Sequence, residues 1–230
     1  MSPRTRQVWR KILVATSAAQ VVLSPGLATA DGDATAPAEA IPDRRATVAP
    51  APPALTTPFL QYGVAFTTEF VASAGPLCNA TAGAPCILGS GGGVVFPRVG
   101  WRSASHWYLG GAYEISKQDA GTLYRLPILQ QLRAEARYYL LDGHVVGPYL
   151  EGTVGLAGYG NEWTVDTYGP ALSVALGVET QISRRSAIGA SFAYRVIHFS
   201  SFTDAAAAPR EAGFAQLVGL NILLEVRDPY

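Results

Sequence analysis

Residues 126–156 read LPILQQLRAEARYYLLDGHVVGPYLEGTVGL, and this stretch decides the fold. Taken two residues at a time, its first arm separates cleanly. Leu126, Ile128, Leu132, Ala134, Ala136, Tyr138 and Leu140 fall on one face, and Gln131, Arg133, Glu135, Arg137 and Tyr139 on the other. Asp142-Gly143 is a hairpin signal, and a second alternating arm sets Leu150, Val154 and Leu156 against Tyr149, Glu151 and Thr153. A helical period would put Arg133, Arg137 and Leu140 on one stripe and leave no dry face, so the period is two. Arms this long and regular, with one face free of charge, predict a hairpin of a transmembrane β-barrel.

The alternation continues on both sides. One strand sets Tyr62, Val64, Phe66 and Phe70 against Gln61, Ala65, Thr67 and Glu69; the next sets Val95, Pro97, Val99 and Trp101 against Phe96, Arg98, Gly100 and Arg102. A third sets Trp107, Leu109, Tyr113 and Ile115 against Tyr108, Ala112 and Glu114. After the hairpin come three more. Leu172, Val174, Leu176 and Val178 oppose Ser173, Ala175 and Glu179. Ile188, Phe192, Tyr194 and Val196 oppose Gly189, Ser191 and Arg195. Val218, Leu220, Ile222, Leu224 and Val226 oppose Leu217, Asn221, Glu225 and Arg227. The prediction is an all-β, eight-stranded antiparallel transmembrane β-barrel over residues 58–230. Tight turns near 103–105, 142–145 and 183–185 alternate with longer links over 72–92, 117–122, 159–168 and 199–213, as an outer-membrane barrel requires. Trp101, Trp107 and Tyr138 flank the short turns and are expected to form the periplasmic aromatic girdle.

Charge selects which face looks in. One face collects Arg98, Arg102, Arg125, Arg133, Arg137, Arg195 and Arg227 with Glu69, Glu114, Glu135, Glu151, Glu179 and Glu225. A charge turned to lipid at mid-depth costs about 2–4 kcal/mol, so this face is expected to line the lumen and to plug it with Arg–Glu pairs. The alternative is a soluble, lipocalin-like ligand-binding barrel with the apolar face inside.

The 230 residues are 49% hydrophobic and 15% charged, with 17 basic and 17 acidic residues. Four of the basic ones, Arg4, Arg6, Arg10 and Lys11, precede an apolar run from Ile12 to Leu23, and no acidic residue precedes Asp31. With Ala28 and Ala30 at a small-residue site, this reads as a signal peptide, residues 1–30, cleaved after Ala30. Removing those four leaves 13 basic against 17 acidic residues, which argues against a nucleic-acid partner. Residues 31–57 are Ala/Pro-rich, hold almost no large apolar group, and are expected to be a disordered linker. The two cysteines, Cys78 and Cys86, sit in an exported chain eight residues apart and are expected to pair as a structural disulfide.

Residues 59–227 resemble the small outer-membrane β-barrel proteins of the OmpA/OmpX type, in strand number, face polarity, loop alternation and the Arg133-Ala-Glu135-Ala-Arg137-Tyr138-Tyr139 strand. The resemblance implies the outer membrane of a Gram-negative-type envelope, lipopolysaccharide and other outer-membrane lipid as surroundings, and a final strand read by the barrel-insertion machinery. Leu220, Ile222, Leu224 and Val226 alternate suitably, whereas Asp228 stands where an apolar residue is expected and Pro229 interrupts the strand. The expected role is a structural or binding scaffold, with an extracellular ligand held at loops such as the one carrying Trp163 and Tyr168.

One enzymatic alternative comes from Ile197-His198-Phe199-Ser200-Ser201. It is similar to the His-x-Ser arrangement of outer-membrane lipid A deacylases, which would make His198 the general base, Ser200 the nucleophile and Glu211 the residue orienting the imidazole. The family places asparagine after its serine; this chain has Ser201. His106 and His144 read as turn residues, and no metal cluster, phosphate-binding loop or cofactor motif is present in the sequence, so no cofactor is expected.

Overall fold

A computed structural model describes residues 57–78, 85–119, 121, 123–141 and 144–229. The signal peptide, all but the last residue of the linker, and Asp142-Gly143 lie outside the described residues. The strands are β1 (Phe59–Ser73), β2 (Gly91–Arg102), β3 (Trp107–Gln118), β4 (Pro127–Tyr139), β5 (Val146–Asn161), β6 (Thr167–Gln181), β7 (Ser186–Phe199), a two-residue pair β8 (Phe202–Thr203) and β9 (Pro209–Arg210), and β10 (Gly213–Pro229). Eight of them close into one barrel in the order β1-β10-β7-β6-β5-β4-β3-β2. The seam between β1 and β10 is antiparallel from Phe59↔Pro229 to Ser73↔Gln216, so no edge is left open.

The period of two becomes the wall of this barrel. Along β4, Gln131, Arg133, Glu135 and Arg137 are buried inward while Leu132 is 63% exposed outward. The same holds around the ring for Val174, Leu176, Phe192, Leu220 and Ile222, all exposed. The apolar face therefore looks out, the reverse of what a lipocalin-like barrel needs. Two outward glutamines are partnered by tyrosine: the Tyr113 hydroxyl donates to Gln130 and the Tyr194 hydroxyl to Gln216, each at 2.8 Å. The charged side chains on the outward face of the barrel strands are Lys117 and Asp228, one at each rim. Asp228, the departure in the final strand, accepts a 2.8 Å hydrogen bond from the Tyr62 hydroxyl across the seam.

Short turns are set by local serine bonding. The Ser103 hydroxyl accepts from the amides of Ser105 (3.3 Å) and Trp107 (3.2 Å), and that of Ser183 from the amide of Arg185 at 3.2 Å.

Three expectations are corrected. The simple alternation in β2 fails, because a bulge between Val95 and Arg98 adds residues opposite β3 and resets the phase. Val95 is consequently fully buried inside and Phe96 is 66% exposed outside. Arg125 is not a lumen residue; it stands 87% exposed in the β3–β4 loop, 3.5 Å from Glu162. Finally, β5 and β6 run on further than the alternation suggested, so their connection is only residues 162–166, and Tyr168 belongs to β6.

Candidate functional site: the lumen and mouth of the barrel

Twelve charged side chains point into the barrel, six arginines and six glutamates, and they form one continuous chain. From the extracellular side, Glu69 pairs with Arg195, which also holds Glu114 at 3.1 Å. Glu114 pairs with Arg133, whose Nε donates to Glu135 at 3.0 Å. Arg98 then bridges Glu135 and Glu151, both at 2.7 Å. Arg137 donates to Glu151 at 2.7 Å and lies 3.0 Å from Glu225. Glu179 ends the chain with Arg102 at 3.0 Å, Arg227, and a 2.9 Å bond from the Tyr139 hydroxyl. Every residue expected as a lumen ion pair is in this chain: Arg98, Glu114, Arg133, Glu135, Arg137, Glu151, Glu179, Arg195 and Glu225. Glu69, Arg102 and Arg227, on the charged face by alternation, complete it. Gln61, which donates to Glu225 and Glu179, is an addition that charge alone could not identify.

Four of the arginines, Arg98, Arg133, Arg137 and Arg195, each reach two or more carboxylates, and Arg102 and Arg227 converge on Glu179. A buried pair gains enough to offset desolvation only when its remaining donors and lone pairs are also engaged. Alternation along the lumen supplies part of this: every arginine has a carboxylate neighbour, while Arg137 Nη2, Arg195 Nε and Arg227 Nε are buried without a hydrogen-bond partner among the described residues.

Below the ion-pair chain, aromatic rings gather at the short-turn end of the barrel. Tyr108, Tyr139 and Tyr149 are buried together, with the Arg102 guanidinium 3.5 Å from the Tyr139 ring centre and Arg137 4.8 Å from that of Tyr149. Space for these rings is made by glycine: a Cβ at Gly177 would collide with Tyr149, and one at Gly100 or Gly110 with Tyr108.

Above the chain, the lumen turns apolar, which its charge pattern did not foretell. Leu129, Ala157, Tyr159, Ile197, Phe199 and Leu217 line the extracellular end and receive Leu77, Ile87 and Leu88 from the β1–β2 loop. That loop is closed by the Cys78–Cys86 disulfide and by the Ile87 amide, which donates to the Leu77 carbonyl at 3.0 Å. The Tyr159 hydroxyl donates to the Ile87 carbonyl from within the barrel. Arg210 pins the loop from outside: it donates to the carbonyls of Leu77 (2.7 Å) and Pro85 (2.8 Å) and pairs with Asp204 at 2.8 Å. Burial works against the Asp204 carboxylate, but the amides of Ala208 and Ala206 and the Arg210 guanidinium outweigh it and hold its pKa below the usual value.

Trp107 packs edge-on against Tyr138 at 5.1 Å, and Trp101 lies exposed on the neighbouring strand. His106 is held more firmly than a free turn residue, with Nδ1 2.7 Å from the Tyr139 carbonyl. His198, Ser200 and Glu211 are not brought together. The Ser200 hydroxyl donates to the Tyr168 carbonyl at 2.9 Å, the His198 ring packs edge-on against Phe214, and Glu211 is exposed between β9 and β10. Among the described residues, no hydrogen bond or ion pair joins the three, and no group of three or more His, Cys, Asp or Glu could hold a metal.

No protein-family model and no curated protein matches the sequence. Solved structures do. Neisserial surface protein A superposes with a TM-score of 0.50 at 18% identity, covering 74% of this chain and 96% of that one. The outer membrane protein OprG from Pseudomonas aeruginosa superposes with a TM-score of 0.52 at 13% identity, covering 77% and 99%. The fold of this chain is that of the small outer-membrane β-barrel proteins.

Proposed function

We propose that the protein is an integral outer-membrane β-barrel that conducts nothing and serves as a scaffold for its extracellular loops. The observation that supports this most is the filled lumen. Apolar side chains and a disulfide-closed loop occupy one end, twelve alternating charges the middle, and stacked arginine and tyrosine the other end. Eight strands leave an interior that side chains can fill, and here they do.

The outer wall supports the membrane placement. Along β6, from Tyr168 to Val178, it rises by about 25 Å, at ~3.3 Å per residue and a ~40° tilt, the height of an outer-membrane apolar band. Trp101, Trp107 and Tyr138 lie at the lower edge of this band, where aromatic rings suit the lipid–water boundary. Leu220, Ile222 and Leu224 present the outward apolar face of the last strand to the barrel-insertion machinery. Fractionation of cells expressing the full chain tests the proposal: the protein should sediment with the outer membrane and migrate differently on denaturing gels when boiled. Recovery as a soluble periplasmic protein would overturn it.

A further inference from the structure

The outer wall is not even. A groove of about 490 Å³ crosses the β1–β10 seam and continues onto β7. Val64, Leu224 and Val226 line its middle, flanked by Phe96 on β2 and Ile182 just after β6, both standing out from the wall. Phe96 is there because the bulge in β2 turns it outward at mid-strand. The groove therefore starts part-way up the wall and descends to the short-turn rim. Val64 pairs with Leu224, and Asp228 at the rim lies four residues beyond Leu224, a drop of about 10 Å at ~3.3 Å per residue and a ~40° tilt. That is less than half of a ~25 Å apolar band, the reach of a single leaflet.

The lower end of the groove carries both signs of charge. Ile182 and Ser186, at the two ends of the β6–β7 turn, both line it, and the Ile182 amide donates to the Ser186 carbonyl at 2.9 Å. The exposed Arg184-Arg185 between them thus stand at its mouth. The turn is tied to the last strand: the Arg227 amide donates to the Arg185 carbonyl at 2.8 Å, which sets Arg185 beside Asp228. Arg185 also acts electrostatically on the Tyr62 hydroxyl, the group that donates to Asp228. Among the described residues, neither Arg184 nor Arg185 enters an ion pair. Asp228 keeps acceptor positions beyond the one that Tyr62 uses.

These two charges select the occupant. The apolar floor accepts an acyl chain. A guanidinium engages phosphate through paired N–H donors, and a carboxylate with free lone pairs takes the donors of a primary ammonium. A lipid that carries chain, phosphate and ammonium together is a zwitterionic aminophospholipid. A lipid with an anionic headgroup would satisfy Arg185 and leave Asp228 facing no cation. The convex wall of a second barrel would rest on Phe96 and Ile182 without reaching Val64 or Leu224 between them.

We propose that the groove across the β1–β10 seam seats one chain of a zwitterionic aminophospholipid, with Arg185 taking its phosphate and Asp228 its ammonium. The inference rests on the outer-membrane reading given above. It is tested on the full mature chain folded in detergent, its barrel state checked by heat-dependent gel migration, by native mass spectrometry with phosphatidylethanolamine and phosphatidylglycerol of identical chains. One retained phosphatidylethanolamine is expected, held about threefold or more over phosphatidylglycerol, the scale of an exposed ion pair. Arg185→Gln should lower the retention of both lipids, since both carry the phosphate, and Asp228→Asn should abolish the preference between them. Phe96→Ala should lower both, and Lys117→Gln, at the opposite rim, should change neither. Equal retention of the two lipids by the wild type, or a preference that survives Asp228→Asn, would overturn the proposal. Lipid-free dimers in place of lipid-bound monomers would make the groove a contact between copies and overturn it as well. Loss of heat-dependent migration in the wild type would instead overturn the membrane-barrel reading beneath it.

Discussion

Arg210 and Asp204 meet at 2.8 Å at the extracellular mouth, and both side chains are fully buried. The same guanidinium holds two carbonyls of the Cys78–Cys86 loop, so one arginine fastens the loop that fills the barrel's upper end. Arg210→Ala removes the only cation from the buried Asp204 carboxylate, which keeps just the Ala206 and Ala208 amides, and takes a donor from the Leu77 and Pro85 carbonyls, a loss of about 3 kcal/mol of local stability. Limited proteolysis should then cut within residues 79–84 far faster than in the wild type, while heat-dependent migration persists because the strands do not depend on this contact. Equal cleavage rates would show that the loop is held by its apolar contacts alone.

The pH response of this seal has a definite sign. Asp204 has a lowered carboxyl pKa in the folded protein, so its contribution is complete above the ordinary value near 3.8 and is lost as pH falls through the lower folded value. The seal should therefore hold at pH 7 and at pH 5 alike. The NMR shifts of the Ala206 and Ala208 amides, each 2.9 Å from the Asp204 carboxylate, should titrate with a midpoint below 3.8. A midpoint above pH 4.5 would contradict the assignment.

In the lumen, Arg98 joins Glu135 to Glu151. Arg98→Ala leaves Glu135 with Arg133 alone and Glu151 with Arg137 alone, a buried negative charge in surplus that should destabilise the barrel by about 3 kcal/mol. Adding Glu135→Ala should restore part of that loss, because the surplus charge disappears with it. Urea unfolding of the single and double variants measures the difference; simple additivity would mean the pairs act independently.

On the outer wall, depth decides the cost of charge. Val174, 64% exposed at mid-strand, and Ile182, just beyond the periplasmic end of β6, both face outward. Val174→Arg should cost about 2–4 kcal/mol and Ile182→Arg about 0–1 kcal/mol, if lipid surrounds the wall. Equal costs would mean that water, not lipid, covers both positions.

Much of this architecture was legible in the sequence because alternation of Arg and Glu with apolar residues has one structural meaning in a closed barrel. The nine lumen charges expected from the pattern join in one chain, and Cys78 and Cys86 pair. What escaped the reading obeyed other rules. Val95 and Phe96 exchange faces because a bulge resets the phase, and no single residue announces a bulge. Ile197, Phe199 and Leu217 point inward where charge ends, and apolar residues on an inward phase look the same as any others. The Arg210–Asp204 clamp lies six residues apart in a connection with no periodicity, and its partners are backbone carbonyls of a distant loop. Arg125 falls on the charged phase of the alternation just ahead of β4, but it precedes the strand and faces solvent.

Planar-bilayer recording on the purified, folded protein tests the sealed barrel most directly. On the proposed reading, twelve paired charges between two occupied ends close the aqueous path, so the wild type should insert and show no steady conductance above the bare bilayer. Stable, ohmic channel openings from the wild-type protein would contradict the sealed lumen and the scaffold role that rests on it.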